Sequence, residues 1–226
     1  DTFVDDVLVR GLNARYVLVG DDFRYGAKRA GDYAALDAAG TRRGFDVARM
    51  LSYEVHGERV SSSAVRAALA AGDMARAAAL LGRPYAISGH VVHGARLGRT
   101  LGESAPGAGD GFRTLNLRFA HWRPAAGGIF VVRAHGLGER PLPGVANLGV
   151  RPGIDASGRV LLEVHCLEWP PGLPEVYGRV VQVELLHKLH DERRYPDLAA
   201  LREGIADDVA QARQWWAARA AERPRR

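Results

Sequence analysis

The chain contains one cysteine, Cys166, in 226 residues. No disulfide can form within it, and such usage fits a reducing compartment. Cys166 sits in the apolar run Val160–Leu167, which marks it as a small core residue rather than a nucleophile. Long hydrophobic runs are also missing: no stretch reaches the ~18 apolar residues of a membrane span, and no signal-peptide pattern opens the chain. The expectation is a cytoplasmic protein that does not enter the membrane. Charge of one sign is not concentrated either. Lysine and arginine number 31 against 26 acidic residues, a net charge of +5. The surplus is diffuse arginine plus the tail Arg223, Arg225 and Arg226. No basic stripe interleaved with aromatics appears, so a nucleic-acid partner is not expected, while a small polyphosphate remains compatible.

What is present fits an ordinary globular chain, with 47% hydrophobic and 25% charged residues. The residues begin at Asp1, not Met, inside an amphipathic helical pattern, as an excised or truncated piece would. Val4, Val7, Leu8 and Leu12 recur at helical spacing within Phe3–Leu12. Tyr16–Gly20 and Phe45–Met50 are strand-like, Asp32–Gly44 is helical, and alanine-rich helices follow over Ser63–Ala71 and Met74–Leu81. Helix alternating with strand implies parallel strands and crossovers, yet two strands are too few for an independent doubly wound sheet. After the turn Gly82-Arg83-Pro84 the pattern changes. Tyr85–Val92, Gly128–Arg133, Pro143–Leu148, Val160–Leu167 and Gly178–Leu186 are β-rich runs separated by glycine and proline, which predicts an antiparallel sheet or barrel. Asp197–Ala220 closes the chain as a helix, with Trp215 and Trp216 docking onto that barrel.

Four stretches carry candidate chemistry. In His93–Gly102 (HGARLGRTLG) and Gly111–Asn116 (GFRTLN), glycines permit close approach to an anion. Thr114 and Asn116, two apart, would share one face of an extended segment and offer oxygen ligands to a hard cation. An ordinary hairpin turn accounts for the glycines equally well. Alternation in Val160–Leu167 puts Leu161, Glu163 and His165 on one face and Leu162, Val164 and Cys166 on the other. A carboxylate there is either a solvated strand residue or a base able to take a proton from a hydroxyl. Gly144–Pro152 (GVANLGVRP) reads as a second glycine-rich turn, with Asn147 and Gly149 allowing tight geometry and Arg151 offering a cation. In the N-terminal part, GDDFRYG sets Phe23 and Tyr25 beside paired aspartates, where they flank a planar ligand or simply pack. The serine run of VSSSAVR caps a helix or binds an anion at its end.

Taken in order, GDDFRYGAKRAGD, VSSSAVR, LLGRPYAISGHVVHG, LGRTLG, PLPGVANLGVRP, LLEVHCLEW, YGRVVQVELLHKLHDERRY and LREGIADDVAQAR resemble the prokaryotic bifunctional riboflavin kinase/FAD synthetase family over nearly the whole chain. The resemblance implies two parts. Residues 1–82 would be the C-terminal part of an FMN adenylyltransferase domain of Rossmann-like nucleotidyltransferase type. Residues 83–226 would be a riboflavin kinase domain, a Greek-key antiparallel barrel with a C-terminal helix. It further implies that Thr114 and Asn116 hold Mg2+ and the phosphates of ATP, that Glu163 deprotonates the ribityl hydroxyl, and that Gly94, Gly98 and Arg99 belong to a flap over ATP. Asn147 would line the ATP site and Arg151 the flavin site. Asp22, Phe23 and Tyr25 look like flavin-pocket residues of the synthetase side, and Ser61, Ser62, Ser63 and Arg66 like its second phosphate-binding motif.

Two departures from the family pattern bear on activity. The synthetase domain of the family opens with a strand, a phosphate-binding turn and a paired-histidine motif. In these residues the only histidine before position 90 is His56, in no such motif, so the 226 residues are expected not to make FAD. In the kinase half, the family's flap runs directly into Gly-Phe-Pro-Thr-Ala-Asn. Here an insert, Glu103–Asp110, intervenes, and Arg113 and Leu115 replace the proline and alanine. The insert either bulges into solvent or misplaces the flap and slows turnover, the latter leaving a flavin- or nucleotide-binding protein with impaired catalysis. The substrates expected are riboflavin, FMN and ATP; the sequence leaves the oligomeric state open.

Overall fold

In the computed structural model, residues 2–93, 114–119, 124–150, 160–169 and 176–221 are described. Gly94, Gly98, Arg99, Arg151 and the insert Glu103–Asp110 lie outside them. Packing divides the chain into two compact units, Asp1–Val60 and Ser61–Arg226.

The first unit opens with a helix, Phe3–Gly11, wound with i→i−5 bonds such as Leu12 N–H to Val7 O at 2.9 Å. Strands β1 (Tyr16–Gly20) and β2 (Asp46–Met50) pair in parallel, joined through α1 (Tyr33–Arg43). This is the helix–strand alternation expected from the sequence. Asp32 caps α1 by accepting from Ala35 N–H at 2.9 Å. Val4, Leu8, Val19, Leu36, Ala39 and Phe45 form the core of this unit. A short hairpin that the periodicity did not reveal, β3 (Glu54–Val55) and β4 (Glu58–Arg59), follows β2.

The second unit starts with α2 (Ser62–Ala71) and α3 (Met74–Leu81), capped by Ser61 and Asp73. Ala68, Leu69, Met74 and Ala77 enter the same hydrophobic cluster as the barrel interior. Packing therefore groups both helices with the barrel, whereas the change of sequence pattern falls after residue 82.

The barrel is closed and contains β5 (Tyr85–Val92), β6 (Thr114–Arg118), β7 (Gly128–His135), β8 (Leu142–Val150), β9 (Val160–Cys166) and β10 (Val180–His190), in the order β10-β5-β6-β9-β8-β7. All neighbours are antiparallel. Strands β7, β8 and β9 form a meander whose last strand lies beside β6, the Greek-key arrangement. Period-two alternation sends Leu117, Phe130, Val132, Leu148, Leu162, Val164, Val181 and Val183 inward, each wholly buried. The outer face of β7 and β8 is covered by α4 (Leu198–Ala221). Val131, Val145, Leu167 and Ala212 are the buried centre of that contact, and Ile129, Val209, Trp215 and Trp216 pack around it. The tryptophans do dock: Trp215 and Trp216 meet edge-to-face at 5.2 Å, with Arg133 5.3 Å from the Trp216 ring and Arg219 4.1 Å from that of Trp215.

One expectation is corrected. Of the two readings of this stretch, the β-run Pro143–Leu148 holds and the glycine-rich turn does not, since Gly144–Val150 is the body of β8, paired throughout with β9. Its glycines serve close approach instead of a bend. A Cβ on Gly144 would stand 2.9 Å from the carbonyl oxygen of His165, and one on Gly149 would collide with the Glu192 carboxylate.

Two expectations can be measured. A Cβ on Gly89 would lie 2.6 Å from the Arg118 carbonyl oxygen across β5 and β6. Gly89→Ala should therefore cost about 1–3 kcal/mol in urea unfolding, since overpacked backbone must move. Burial pushes the Cys166 thiol up to about 12. At pH 8 only roughly one thiol in ten thousand is then ionised, so thiol reagents should label Cys166 on unfolding and not before.

Candidate functional site

The site is a row of side chains set by strand register. Asn116 on β6 stands opposite Glu163 on β9, and Glu163 stands opposite Asn147 on β8. Residues paired directly across a ladder point to the same face, with Cβ atoms about 4.5–5.5 Å apart. Three polar residues from three adjacent strands thus adjoin on the outside of the barrel. Thr114 lies on the same face, one step along, opposite His165. Its partner strand shows the alternation expected from sequence: Leu162, Val164 and Cys166 are buried, while Leu161, Glu163 and His165 are half-buried. The face is not bare, because Asn116 is only 8% exposed and Thr114 is the open member.

Followed onward, the row continues from Asn147 to Ile129 on β7 and from Ile129 to His190 on β10. Ile129 belongs to the apolar seat of α4. His190 Nε2 then lies 2.6 Å from Asp208 Oδ1 on that helix, and its Nδ1–H donates to the Asp191 carbonyl at 2.7 Å. Both side chains are close to nine-tenths buried. The polar row therefore ends against the helix, and one buried pair fixes the helix to the strand that carries the row's last member. Sequence reading missed His190, Asp208 and Glu192. The spacing of Asp208, Ala212 and Trp216 on one helical stripe was the available signal for Asp208, since an acid on an apolar stripe needs a partner. Nothing local signals Glu192, whose carboxylate occupies the space above Gly149.

The sites expected in the N-terminal part fall in different units: Asp22, Phe23 and Tyr25 in the first, Ser61, Ser62, Ser63 and Arg66 in the second. Phe23 and Tyr25 stack at 5.7 Å, and Tyr25 also meets Phe3 at 5.3 Å, so both rings pack within their own cluster. Asp22 is exposed. Asp21 beside it accepts from the Ser52 hydroxyl at 2.5 Å and from Arg59 at 2.7 Å. The Ser52 hydroxyl, and then the Arg59 guanidinium, hold its carboxyl below the usual range. Ser61 accepts from Ala64 N–H at 3.1 Å, as a helix cap does, while Ser62, Ser63 and Arg66 are exposed.

Thr114 and Asn116 fit a hard divalent cation by donor type, a hydroxyl and an amide carbonyl oxygen two apart on one strand face. Among the described residues no cluster of three or more histidine, cysteine or acidic side chains offers an alternative metal site. Among them, too, no helix is long and apolar enough to cross a membrane.

Comparison with known proteins gives this row its context. A riboflavin kinase family profile matches residues 81–216, the stretch that includes the whole barrel. The chain belongs to the riboflavin kinase family. An FAD synthetase profile matches residues 1–64. The bifunctional riboflavin kinase/FMN adenylyltransferase of Escherichia coli (strain K12) is 44% identical over 214 residues, 95% of this chain and 64% of its own length. That of Pseudomonas fluorescens is 42% identical over 93% of this chain and 64% of its own, and that of Haemophilus influenzae 37% over 96% and 66%. The chain thus spans less than two thirds of the first of these relatives. A solved structure, a macrolide-efflux protein from Streptococcus pneumoniae, superposes over 94% of this chain and 64% of its own with a TM-score of 0.65. At 24% identity that likeness is one of fold alone.

The buried pair at the end of the row has a measurable consequence. Asp208→Ala should destabilise the second unit by about 3 kcal/mol in denaturant unfolding, because His190 keeps its burial and loses its carboxylate.

Proposed function

We propose that the barrel unit transfers the γ-phosphoryl group of ATP to the terminal ribityl hydroxyl of riboflavin, giving FMN and ADP. The observation that carries this reading is the juxtaposition of Asn116, Glu163 and Asn147 on three neighbouring strands, with Thr114 beside them. Family membership supplies the substrate class.

The chemistry balances with one base. The hydroxyl oxygen forms a bond to the γ-phosphorus, the bond from that phosphorus to the β–γ bridging oxygen breaks, and ADP leaves with the electron pair. The hydroxyl proton passes to the Glu163 carboxylate. General-base assistance of this kind is worth about 10²–10⁴ in rate. Thr114 and Asn116 would hold Mg2+, which when bound neutralises charge on the ATP phosphates. Orientation is the protein's larger task, since phosphoryl transfer depends on positioning and electrostatics more than on covalent chemistry. Strands serve that task better than loops, and Thr114, Asn116, Asn147 and Glu163 all sit within strands. Gly94, Gly98 and Arg99 would close over ATP, and Arg151 would contact flavin.

Adenylylation of FMN belongs to the names of the longer relatives. For these 226 residues we infer FMN formation without FAD, because the paired-histidine motif of the synthetase domain is not among them. Asp22, Phe23 and Tyr25, with Ser61, Ser62, Ser63 and Arg66, would serve adenylyl transfer only alongside such a motif. The partners are small molecules, not nucleic acid, and a lone cysteine suits a cytoplasmic setting.

Incubation with riboflavin, ATP and magnesium, followed by chromatographic separation of flavins, should show FMN and no FAD. Glu163→Gln should lower kcat by about a hundredfold or more while leaving riboflavin affinity nearly unchanged. Unaltered turnover in that variant would remove Glu163 from the base role.

A further inference from the structure

The polar row contains one atom that no described residue answers. Asn147 Oδ1 is buried, and no hydrogen-bond donor among the described residues reaches it. Buried acceptors are nearly always satisfied, and an orphan of this kind is unfavourable to the free protein. Its register partner cannot serve, because an ionised Glu163 offers acceptors only. The other neighbour in the row, Ile129, has no polar side-chain atom. A donor brought by a ligand would complete the site. Phosphate oxygens ionised at neutral pH are acceptors too, so a phosphate does not complete it. A hydroxyl does.

We propose that Asn147 Oδ1 accepts a hydrogen bond from the penultimate hydroxyl of the polyol acceptor and thereby selects which hydroxyl is phosphorylated. This rests on the riboflavin kinase reading given above. A ribityl chain carries vicinal hydroxyls, each with a single proton. The terminal hydroxyl directs its proton to Glu163, and the hydroxyl next to it directs its own to Asn147. The two acceptors stand opposite each other on adjacent strands, a separation suited to neighbouring oxygens on one carbon chain. An amide oxygen holds a proton in place without removing it, so only the terminal hydroxyl, whose proton can pass to the Glu163 carboxylate, gains the nucleophilicity to meet the γ-phosphorus. Asn147 is in this sense a specificity residue, and its orphaned oxygen is satisfied when substrate arrives.

The test compares riboflavin with the analogue that lacks the penultimate ribityl hydroxyl. kcat/KM and the Kd from flavin fluorescence are measured for the unmodified chain, Asn147→Leu and Asn147→Asp. The unmodified chain should prefer riboflavin by about tenfold or more, the effect of one hydrogen bond to a buried group. Asn147→Leu, equal in size and apolar, should reduce that preference to about twofold or less, since no acceptor remains to read the hydroxyl. Asn147→Asp should keep the preference, because it keeps an acceptor, while turning over more slowly with a second carboxylate beside Glu163. The Leu variant should also melt at or above the temperature of the unmodified chain, having lost an unsatisfied buried group. Should it not fold, Asn147→Ala gives the same readout. An undiminished preference in the Leu or Ala variant overturns the assignment of Asn147. Riboflavin bound with no FMN formed by the unmodified chain overturns the kinase reading instead, so the two failures are separable.

Discussion

Backbone pairing of β6, β9 and β8 is the constraint on which the remainder rests. Side chains on a strand alternate between faces, so the pairing register decides not only which residues are neighbours but which side of the barrel they occupy. Asn116, Glu163 and Asn147 share a row because their hydrogen-bonded ladders place them opposite one another. A slip of one residue in β9 would send Glu163 into the interior and bring Leu162 or Val164 out. That slip is resisted by the burial of those two residues, both wholly removed from solvent. The hydrophobic effect on one face thus holds the polar row on the other.

The outer face could not stay uncovered, since Val131, Val145 and Leu167 are apolar there. Helix α4 covers part of it and leaves the polar row at its margin. Its seat combines Ala212, which lets helix and sheet approach closely, with the aromatic pair Trp215 and Trp216. The His190–Asp208 pair adds direction to this packing. Apolar contacts alone tolerate sliding, whereas a buried hydrogen bond between two polar groups is satisfied in one arrangement only. The helix is thereby fixed relative to β10 at the very level where the row ends.

Much of this could be read along the chain. The division of β9 into an apolar face and a face bearing Glu163 follows from alternation in LLEVHC, and the pairing of Thr114 with Asn116 on one face from their spacing of two. The lone cysteine reads correctly as core, and the tryptophans as docking residues. The stretch Gly144–Val150 misleads because three of its residues are small and two are glycine, a composition shared by turns and by crowded strands. Only the neighbours distinguish them: the His165 carbonyl and the Glu192 side chain occupy the space that Cβ atoms would need. The hairpin of β3 and β4 is too short for any period to show.

Alternation, capping and composition are local properties, and they determined most of the elements, the inward face of β9 and the separate chemical characters of Thr114, Asn116, Glu163 and Asn147. The meeting of those residues was decided elsewhere. Asn116 and Glu163 are far apart in sequence, and their adjacency depends on β7, β8 and β9 folding back as a meander until the last of them lies against β6. The orphaned oxygen of Asn147 and the partnership of His190 with Asp208 likewise exist only in the closed barrel with its helix in place. Whether a buried polar atom has a partner depends on everything packed around it, and no spacing along one strand contains that information.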